Sequence, residues 1–327
     1  MKRSVFFRAD GNDKIGRGHI SRCVAVADML CNDFEIIFVV LVSNEAYFLK
    51  LNIGYNHHVI NENEEVLDAI DNNTLLWLDG YHFSEDFKTN AKKKAYKLIE
   101  TNDIPYKANN VDVLVNHTPK ISVEKFHVSE NKVQLLLGLK YVLLRKKFLK
   151  IAQNYISKSE NASGVFICFG GADTFNLGLK FVTTLLSLGF KDPIYWVAKS
   201  LEESNKHSFN KNVHLLYGLD EAGMIQYMSA SKVVLIPSSV LSFEAMALRK
   251  PIFTSFFADN QELIYKGLIL EELAEGGGYI KTIEDVNLAA KSFIMFYSDE
   301  IKHKKQIENQ QIAIDGYSGA RIKNFLQ

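Results

Sequence analysis

The stretch SVFFRADGNDKIGRGHISRCVAVADML, residues 4–30, predicts a strand, a loop and a helix in direct succession. It begins with a mainly apolar run of strand length, and its last part carries apolar residues at the i, i+3, i+4, i+7 spacing of one buried helix face. These helix residues are Ile20, Cys23, Val24, Ala27 and Leu30. A strand that leads directly into an amphipathic helix is typical of parallel α/β architecture.

The same alternation continues through almost the whole chain. In the first half, strands are predicted at residues 4–8, 35–42, 57–60, 75–79 and 111–115. After the polar stretch AQNYISKSENASG the alternation starts again, with strands predicted at 164–171, 193–198, 212–218, 232–237 and 251–256, and helices at 174–188, 220–229 and 240–248.

We therefore predict an α/β protein of two Rossmann-like, doubly wound domains, residues 1–157 and 158–327, facing each other across a cleft. A length of 327 residues suits two domains of ordinary size. One option is that the last helices pack back on the N-terminal domain. Ligands of such sheets bind at the carboxyl ends of the strands, so the expected site is the cleft between the domains.

Composition excludes several classes of protein. The 38 basic and 38 acidic residues balance, so no overall field favours nucleic acid or an anionic membrane surface. The three cysteines are widely spaced in apolar stretches, which argues against a disulfide framework or a metal cluster. The N-terminal apolar run is too short for a signal peptide. We expect a cytoplasmic, monomeric protein without stable membrane association.

The first strand-to-helix loop contains candidate functional residues. Gly16 and Gly18 allow the backbone to approach a ligand closely, or they serve only a tight turn. His19, in the first turn of the helix, is placed in the positive end of the helix dipole, which favours a neutral imidazole able to accept a proton. A histidine that only caps or packs is the alternative. Arg8 and Asp10 are expected to orient the loop or to pair with each other.

Four further strand-end loops carry polar residues. In LDGYHF, residues 78–83, Tyr81 either points into the same cleft as His19 or is a structural tyrosine. In FGGADTFNLGLK, residues 169–180, Gly170 and Gly171 clear space, Asp173 or Thr174 caps the helix, and Asn176 projects from the first turn. The spacing matches neither GxGxxG nor the P-loop, so neither a nicotinamide dinucleotide nor a Walker-type triphosphate is supported.

The last two loops offer further ligands for a nucleotide. Ser238 and Ser239 follow a predicted strand, and Glu244 lies on the next helix, where a carboxylate can accept both hydroxyls of a ribose. Taken alone, Glu244 also fits a solvated helix position. Asn260 and Gln261 either bind substrate or cap the following helix.

Taken together, these motifs resemble one enzyme family. The order RxD, IGxGHxxR, a tyrosine after the LD strand, GLKYVLLRKKF, GGADTFN, SSVLSFEA and DNQ is similar to the PseG family, the UDP-2,4-diacetamido-2,4,6-trideoxy-β-L-altropyranose hydrolases of pseudaminic acid biosynthesis. The resemblance spans residues 4 to about 270. It implies the two-domain GT-B glycosyltransferase architecture, a relation to the MurG transferases, and no metal or organic cofactor.

The resemblance also implies roles for single residues. His19 matches the general base that activates the water attacking the anomeric carbon, and Tyr81 matches a tyrosine near that base. The residues that match the UDP-sugar contacts are Asn176 and Glu244, with Ser239, Asn260 and Gln261 in the same nucleotide-facing set. Gly16, Gly18 and Gly171 would leave room for the substrate.

Three functions are compatible with these residues. The first is hydrolysis of a UDP-linked deoxy amino sugar by direct displacement at the anomeric carbon, with inversion. The second is a GT-B glycosyltransferase that uses the same nucleotide site and a hydroxyl acceptor, since a histidine base serves both reactions. The third is a binding protein without turnover, against which the presence of His19 argues. The basic stretch KKKAYK, residues 92–97, leaves membrane docking of a transferase open.

Overall fold

The structure is a computed structural model of the full chain. It describes residues 2–12, 18–127, 133–155, 162–170, 173, 175–199, 209 and 211–327. Over these residues the chain divides into two compact units. Unit 1 comprises Met1–Lys146 together with Tyr317–Gln327, and unit 2 comprises Lys147–Gly316. These bounds differ from the predicted junction at residues 157 and 158, which itself lies outside the described residues.

Unit 1 contains a parallel sheet of seven strands in the order β3-β2-β1-β4-β5-β6-β7. The strands are β1 (Ser4–Ala9), β2 (Glu35–Leu41), β3 (Asn56–Ile60), β4 (Thr74–Asp79), β5 (Lys97–Thr101), β6 (Val113–Asn116) and β7 (Gln134–Leu137). The predicted strands of this half are confirmed, and β5 and β7 are strands that the sequence analysis missed. Apolar side chains cover both faces of the sheet, as expected for parallel strands between two helical layers.

The helices of unit 1 follow from local sequence signals. They are α1 (Gly18–Leu30), α2 (Val42–Lys50), α3 (Val66–Ala69) and α4 (Glu85–Lys94). Helix α1 buries Ile20, Cys23, Ala27 and Leu30 as predicted, and Val24 packs half-buried against the same core. At the start of α4 the Ser84 hydroxyl accepts a hydrogen bond from the Phe87 amide at 3.1 Å, a regular N-cap.

Unit 2 contains a parallel sheet of six strands in the order β10-β9-β8-β11-β12-β13. The strands are β8 (Val165–Ile167), β9 (Ile194–Val197), β10 (Val213–Leu216), β11 (Val233–Pro237), β12 (Ile252–Phe256) and β13 (Glu275–Tyr279). The helices are α5 (Lys146–Gln153), α6 (Leu177–Ser187), α7 (Glu221–Ala230), α8 (Val240–Ala247), α9 (Asp259–Leu270), α10 (Ile283–Tyr297), α11 (Glu300–Ala313) and α12 (Ser318–Leu326), of which α12 packs in unit 1. The predicted α/β class with two parallel sheets is confirmed.

Both sheets have a point at which the strand order reverses. In unit 1 it lies between β1 and β4, and in unit 2 between β8 and β11. At such a point the two loops that follow the adjacent strands run to opposite faces of the sheet and leave a crevice at the carboxyl ends of the strands. The residues that follow these four strands are therefore the first place to look for a site in each unit.

The last helix belongs to the core of unit 1. Ile322 and Leu326 are buried among the side chains of α1 and the central strands. The Lys97 ammonium donates to the Phe325 carbonyl at 2.6 Å, and Lys323 pairs with Asp33 at 2.5 Å. These contacts attach the helix through both apolar and charged groups.

Arg249 joins three helix ends within unit 2. Its buried guanidinium donates to the carbonyl oxygens of Met246, Gln310, Ile314 and Ala152 at 2.8, 3.0, 2.7 and 3.3 Å. These carbonyls lie in or next to the last turns of α8, α11 and α5, where helix carbonyls carry partial negative charge and can accept a further hydrogen bond. One cation therefore satisfies the carboxyl ends of three helices.

The described helices include none that is both long enough and apolar enough to cross a membrane.

Close packing explains two of the glycines in the unusual sequence of strand β13, EGGGY. A Cβ atom on Gly277 would overlap the Ser255 hydroxyl and lie 2.7 Å from the Phe253 ring and 3.0 Å from Ala289. Neither the ring nor the helix bearing Ala289 can move freely, because both belong to the core of the unit.

We predict that Gly277→Ala lowers the free energy of unfolding by about 1–3 kcal/mol, the usual cost of overpacking a core. Gly54→Ala is the matched control, since no atom lies within 4 Å of a Cβ built at that position. Urea denaturation of both variants measures the difference. Equal stability of the two variants would contradict this account of the glycine run.

Candidate active site

His19 and Asp79 meet at the point of unit 1 where the strand order reverses. Asp79 is the last residue of β4, and His19 is the second residue of α1, the helix that follows β1. The His19 Nδ1 atom lies 2.7 Å from Oδ1 of Asp79, which is fully buried, while 15% of the His19 side chain is exposed. An ionised carboxylate only accepts hydrogen bonds, so this contact needs a proton on Nδ1, and in a neutral imidazole Nε2 then keeps its lone pair. This arrangement suits a general base.

Arg22, one helical turn after His19, binds the same carboxylate through two hydrogen bonds. Its Nε donates to Asp79 Oδ2 at 2.9 Å, and its Nη2 donates to Asp79 Oδ1 at 2.6 Å and lies 3.0 Å from His19 Nδ1. Its Nη1 makes a short hydrogen bond to Asp103. Burial alone would lower the pKa of Arg22, but the carboxylates of Asp103 and Asp79 raise it well above its usual value. Arg22 is therefore a permanent cation between two buried anions.

Tyr81 lies next to His19 and shares Asp103 with Arg22. Its hydroxyl donates to Asp103 Oδ2 at 3.1 Å, and its ring packs edge-on against His19 with 5.1 Å between the ring centroids. With 45% of the residue exposed, Tyr81 is open to solvent beside the candidate base. The structure thus brings the two predicted catalytic residues together, and their chemical roles stay predictions.

Asp103 and His117 form the buried end of this network. Burial raises the pKa of Asp103, but the Arg22 guanidinium and His117 outweigh it and lower the pKa to about 2. His117 Nε2 lies 3.5 Å from Asp103 Oδ1, and its Nδ1 accepts a hydrogen bond from the Leu143 amide at 3.3 Å. Burial lowers the pKa of His117 to about 4, against the attraction of Asp103. His117 is therefore neutral at physiological pH.

Arg8 and Asp10 pair with each other, as one of the two expectations held. Arg8 Nη1 and Nη2 donate to the two oxygens of Asp10 at 2.7 and 3.0 Å, and both residues are buried. Asn44 donates to Asp10 at 2.9 Å, and His82 Nε2 lies 3.1 Å from Asp10 Oδ2. Burial raises the pKa of Asp10, but its bonds with Arg8 bring it below the usual value. This second network fixes the chain where it leaves β1.

The glycines of the first loop are only partly described. Gly16 lies outside the described residues, and Gly18 is the exposed first residue of α1. No described atom lies within 4 Å of a Cβ built on Gly18, so packing within the protein does not require a glycine there. Room for a substrate at Gly16 and Gly18 therefore stays a prediction.

Ser239 and Glu244 follow β11 in unit 2. Ser239 is the N-cap of α8, and its hydroxyl accepts a hydrogen bond from the Leu241 amide at 3.3 Å. Glu244 lies on α8 with only 5% of its surface exposed, within the buried run of residues 242–247. The alternative of a solvated helix position is therefore wrong for Glu244. A buried carboxylate needs polar partners, which makes this position chemically distinctive.

Asp173, in the loop after β8, caps the start of helix α6. Its two carboxylate oxygens accept hydrogen bonds from the amides of Leu177 and Gly178 at 2.7 and 2.9 Å, so Asp173 performs the predicted capping. Asn176 precedes α6 in the left-handed region, with φ of 51°, and is exposed. Gly171 and Thr174 lie outside the described residues.

Asn260 and Gln261 lie in the first turn of α9, after β12. Gln261 Oε1 accepts a hydrogen bond from the Phe257 amide at 3.1 Å, which closes the turn before the helix. Asn260 is exposed. Because β8, β11 and β12 are neighbours in the sheet, the loops with Asn176, Ser239 and Asn260 follow adjacent strand ends. Substrate contacts by these residues stay predictions.

Over the described ranges, no group of three or more His, Cys, Asp and Glu side chains is arranged to hold a metal ion. The carboxylates nearest the candidate base are instead bound by Arg22.

Two known proteins are similar to this chain in sequence. No protein-family model matches the chain. An uncharacterised protein of Methanocaldococcus jannaschii is 27% identical over 280 residues, which cover 78% of this chain and 56% of that longer protein. The UDP-2,4-diacetamido-2,4,6-trideoxy-β-L-altropyranose hydrolase of Campylobacter jejuni is 26% identical over 273 residues, 79% of this chain and 93% of that enzyme. The resemblance to the PseG hydrolases is confirmed.

The fold has solved counterparts. The crystal structure of Acinetobacter baumannii MurG superposes with a TM-score of 0.67 at 10% sequence identity, covering 99% of both chains. At this identity the likeness concerns the fold alone. It confirms the predicted GT-B class, with two parallel sheets that each carry helices.

The sequence analysis assigned no role to the partners of His19, although Arg22 is the arginine of the IGxGHxxR motif. Arg22 stands three residues after His19 on the same helix, a spacing that places both on one face and that could have signalled the pair. Asp79 directly follows the apolar run LLWL of β4, which is a second available signal. Asp103 and His117 follow β5 and β6, and no local pattern connects them to His19.

We predict that His117 makes the protein less stable as the pH falls from about 6.5 to about 4. The pKa of this histidine is about 4 in the folded protein and near its usual value of 6.5 when unfolded. In this window the unfolded chain binds the proton and the folded chain does not, so the free energy of unfolding falls with pH. The loss attributable to His117 is at most about 3 kcal/mol, since one pKa unit corresponds to about 1.4 kcal/mol.

The measurement is urea denaturation at pH 7, 5.5 and 4 for the wild type and for His117→Asn, which keeps an acceptor for the Leu143 amide. The variant should lose less stability than the wild type over this range. Parallel curves for the two proteins would show that His117 is not the group responsible.

Proposed function

We propose that this protein acts on a UDP-sugar and hydrolyses it to UDP and free sugar. The specific substrate proposed is a UDP-linked 2,4-diacetamido-2,4,6-trideoxy sugar, which places the reaction in pseudaminic acid, or nonulosonate, biosynthesis. Support comes from the named hydrolase of Campylobacter jejuni, which aligns with 79% of the chain. The protein is further proposed to be a cytoplasmic monomer that needs no metal or organic cofactor and does not bind nucleic acid.

The observation that carries the proposal is the pair formed by His19 and Asp79. The pair stands at the strand ends where ligands of doubly wound sheets bind. Its 2.7 Å contact leaves the Nε2 lone pair of a partly exposed imidazole as proton acceptor. A protein that only binds a nucleotide sugar has no need of such a base.

The proposed reaction is a direct displacement. A water molecule, hydrogen-bonded to His19 Nε2, attacks the anomeric carbon with its oxygen lone pair and transfers a proton to Nε2. The bond between the anomeric carbon and the phosphate oxygen breaks, and its electron pair leaves with UDP. Asp79 stabilises the resulting imidazolium through its bond to Nδ1. Attack from the side opposite the leaving group inverts the anomeric configuration.

Nucleotide-binding residues are proposed on unit 2. Glu244 would accept the ribose hydroxyls, and the amino-terminal turns of the helices that follow β8, β11 and β12 would face the pyrophosphate. Ser239, Asn176, Asn260 and Gln261 stand at these turns. Part of the Gln261 side chain already serves the turn before its own helix, so its contact with substrate would be made through the amide nitrogen.

A glycosyltransferase is the alternative function. The GT-B architecture shared with MurG favours it, and the same histidine base would then deprotonate a hydroxyl acceptor. Lysines near α4 offer reduced net charge for docking to a membrane, because Lys92 pairs with Asp112 at 3.1 Å and Lys94 pairs with Asp68 at 3.5 Å. This observation favours hydrolysis over transfer to a lipid-linked acceptor.

We predict that the purified protein releases UDP from the UDP-linked 2,4-diacetamido-2,4,6-trideoxy sugar in water alone. His19→Ala should reduce kcat by roughly 10²–10⁴, the contribution of a positioned acid–base group, and leave UDP binding intact. UDP release is followed by a coupled assay, and the anomer formed first is read by proton NMR.

A panel of other UDP-sugars and of hydroxyl acceptors serves as control. UDP release that requires an acceptor would support the transferase instead. Full activity of His19→Ala would overturn the assignment of the base.

We predict that Glu244→Gln weakens UDP binding by about tenfold or more. The substitution keeps the size of this buried side chain and removes the charge that would hold two ribose hydroxyls, and hydrogen bonds to charged groups contribute about 1.5–3 kcal/mol. Isothermal titration calorimetry with UDP measures the effect. Glu284→Gln, an exposed glutamate of the same unit, is the control and should bind UDP like the wild type. Equal affinities for both variants would remove Glu244 from the site.

A further inference from the structure

We propose that Arg22 is the positioning residue that keeps His19 neutral, with its proton on Nδ1, and that also holds Tyr81 through Asp103. This inference rests on the proposed role of His19 as base. Arg22 has no role in the hydrolysis described above. Its position explains how His19 can act as a base although buried carboxylates lie beside it.

The geometry decides where the His19 proton lies. Two groups approach Nδ1, the Asp79 carboxylate at 2.7 Å and the Arg22 Nη2 group at 3.0 Å. A bare Nδ1 would set its lone pair against the carboxylate at hydrogen-bond distance, which is repulsive. The Arg22 Nη2 group already has an acceptor in Asp79 Oδ1 at 2.6 Å. The consistent arrangement has both Nδ1 and Nη2 donating to Asp79, with Nε2 unprotonated.

The charge of Arg22 decides whether His19 stays neutral. A histidine in contact with a buried carboxylate tends to take up a proton and form an ion pair, and an unbalanced opposite charge this close shifts a pKa by about 1–3 units. Such an imidazolium would be useless as a base. Arg22 balances the charge of Asp79 through two hydrogen bonds, so the carboxylate can orient the imidazole without protonating it.

Four titratable groups around His19 contribute to its charge environment. From β4 and its loop come Asp79, Tyr81 and His82, and from the end of β5 comes Asp103. His82 faces Asp10, which is paired with Arg8, so this neighbouring carboxylate is already balanced. Asp79 and Asp103 both depend on Arg22 for a direct cationic partner. Removal of Arg22 therefore leaves two anions near His19.

Arg22 also connects the two candidate catalytic residues. Its Nε and Nη2 groups hold Asp79, which orients His19, and its Nη1 group holds Asp103, which accepts the Tyr81 hydroxyl. Removing Arg22 should thus disturb both orientation and charge. Arg22→Lys keeps the charge but loses the planar, bidentate contact with Asp79. This variant therefore separates the effect of charge from the effect of orientation.

The test is an NMR titration of the full-length protein with labelled histidine imidazoles and without substrate. The His19 signals are assigned from their loss in His19→Gln. In the wild type, the nitrogen shifts at neutral pH should report the tautomer with the proton on Nδ1. In Arg22→Met, the midpoint of His19 protonation should move up by about one pH unit or more, and the acidic limb of kcat/KM should move with it. Arg22→Lys should keep the wild-type midpoint and lower kcat.

Lys88→Met is the matched control. Lys88 also pairs with a buried carboxylate of unit 1, Glu100 at 3.0 Å, but it has no contact with His19 in the described structure. This variant should lose stability without moving the His19 midpoint. An unchanged or lowered midpoint in Arg22→Met would overturn the proposal, as would a wild-type proton on Nε2, which is measurable even where the variant does not fold.

These outcomes are separate from the proposed hydrolysis. An active His19→Ala would remove the base from the proposed function while the titration of His19 still reported its charge environment. An inactive His19→Ala with an unmoved midpoint in Arg22→Met would refute the role of Arg22 alone.

Discussion

The structure of unit 1 around the candidate base depends on the burial of two carboxylates beside one guanidinium. Asp79 and Asp103 stand at the carboxyl ends of the paired strands β4 and β5, and the sheet removes both from water. Removing one partner of such a buried pair typically costs about 3–5 kcal/mol. Arg22 makes the arrangement possible by reaching both from α1. The same cation therefore stabilises the junction of helix and sheet and fixes the orientation of His19, so that stability and chemistry share one interaction.

Unit 2 also contains a buried arginine, but the acceptors of its described hydrogen bonds are not carboxylates. Arg249 is buried as well, yet its described hydrogen bonds run to main-chain carbonyls at the ends of three helices. Its role is architectural, because helix ends carry partial negative charge that a cation can satisfy. The candidate site residues that follow β8, β11 and β12 accept none of these described hydrogen bonds from Arg249. Among them, Glu244 is a carboxylate in the buried run of α8 from Ser242 to Ala247.

The sequence predicted the architecture well because strand and helix periodicities are local. It located most strands, the helix that carries His19, and the loops at which the strand order reverses. It missed β5 and β7, which are short, and β13, whose three glycines have low strand propensity. Packing against Tyr265 and Phe253 requires glycine at Gly276 and Gly277, whereas Gly278 has a positive φ of 79°. The site was predicted only in part, because His19 and Asp79 are 60 residues apart in the chain and Arg22 and Asp103 are 81 apart. Such pairs arise from topology, which brings distant strand ends together.

The return of the last helix to unit 1 has a consequence for biosynthesis. Ile322 and Leu326 fill part of the core that α1 and the central strands form. A ribosome synthesises the whole of Lys147–Gly316 before it produces these two side chains. The first unit to leave the ribosome therefore remains with an open apolar groove while the second is completed, reversing the usual order in which the N-terminal domain finishes folding first. The nascent chain must keep that groove from aggregating until Tyr317–Gln327 emerges.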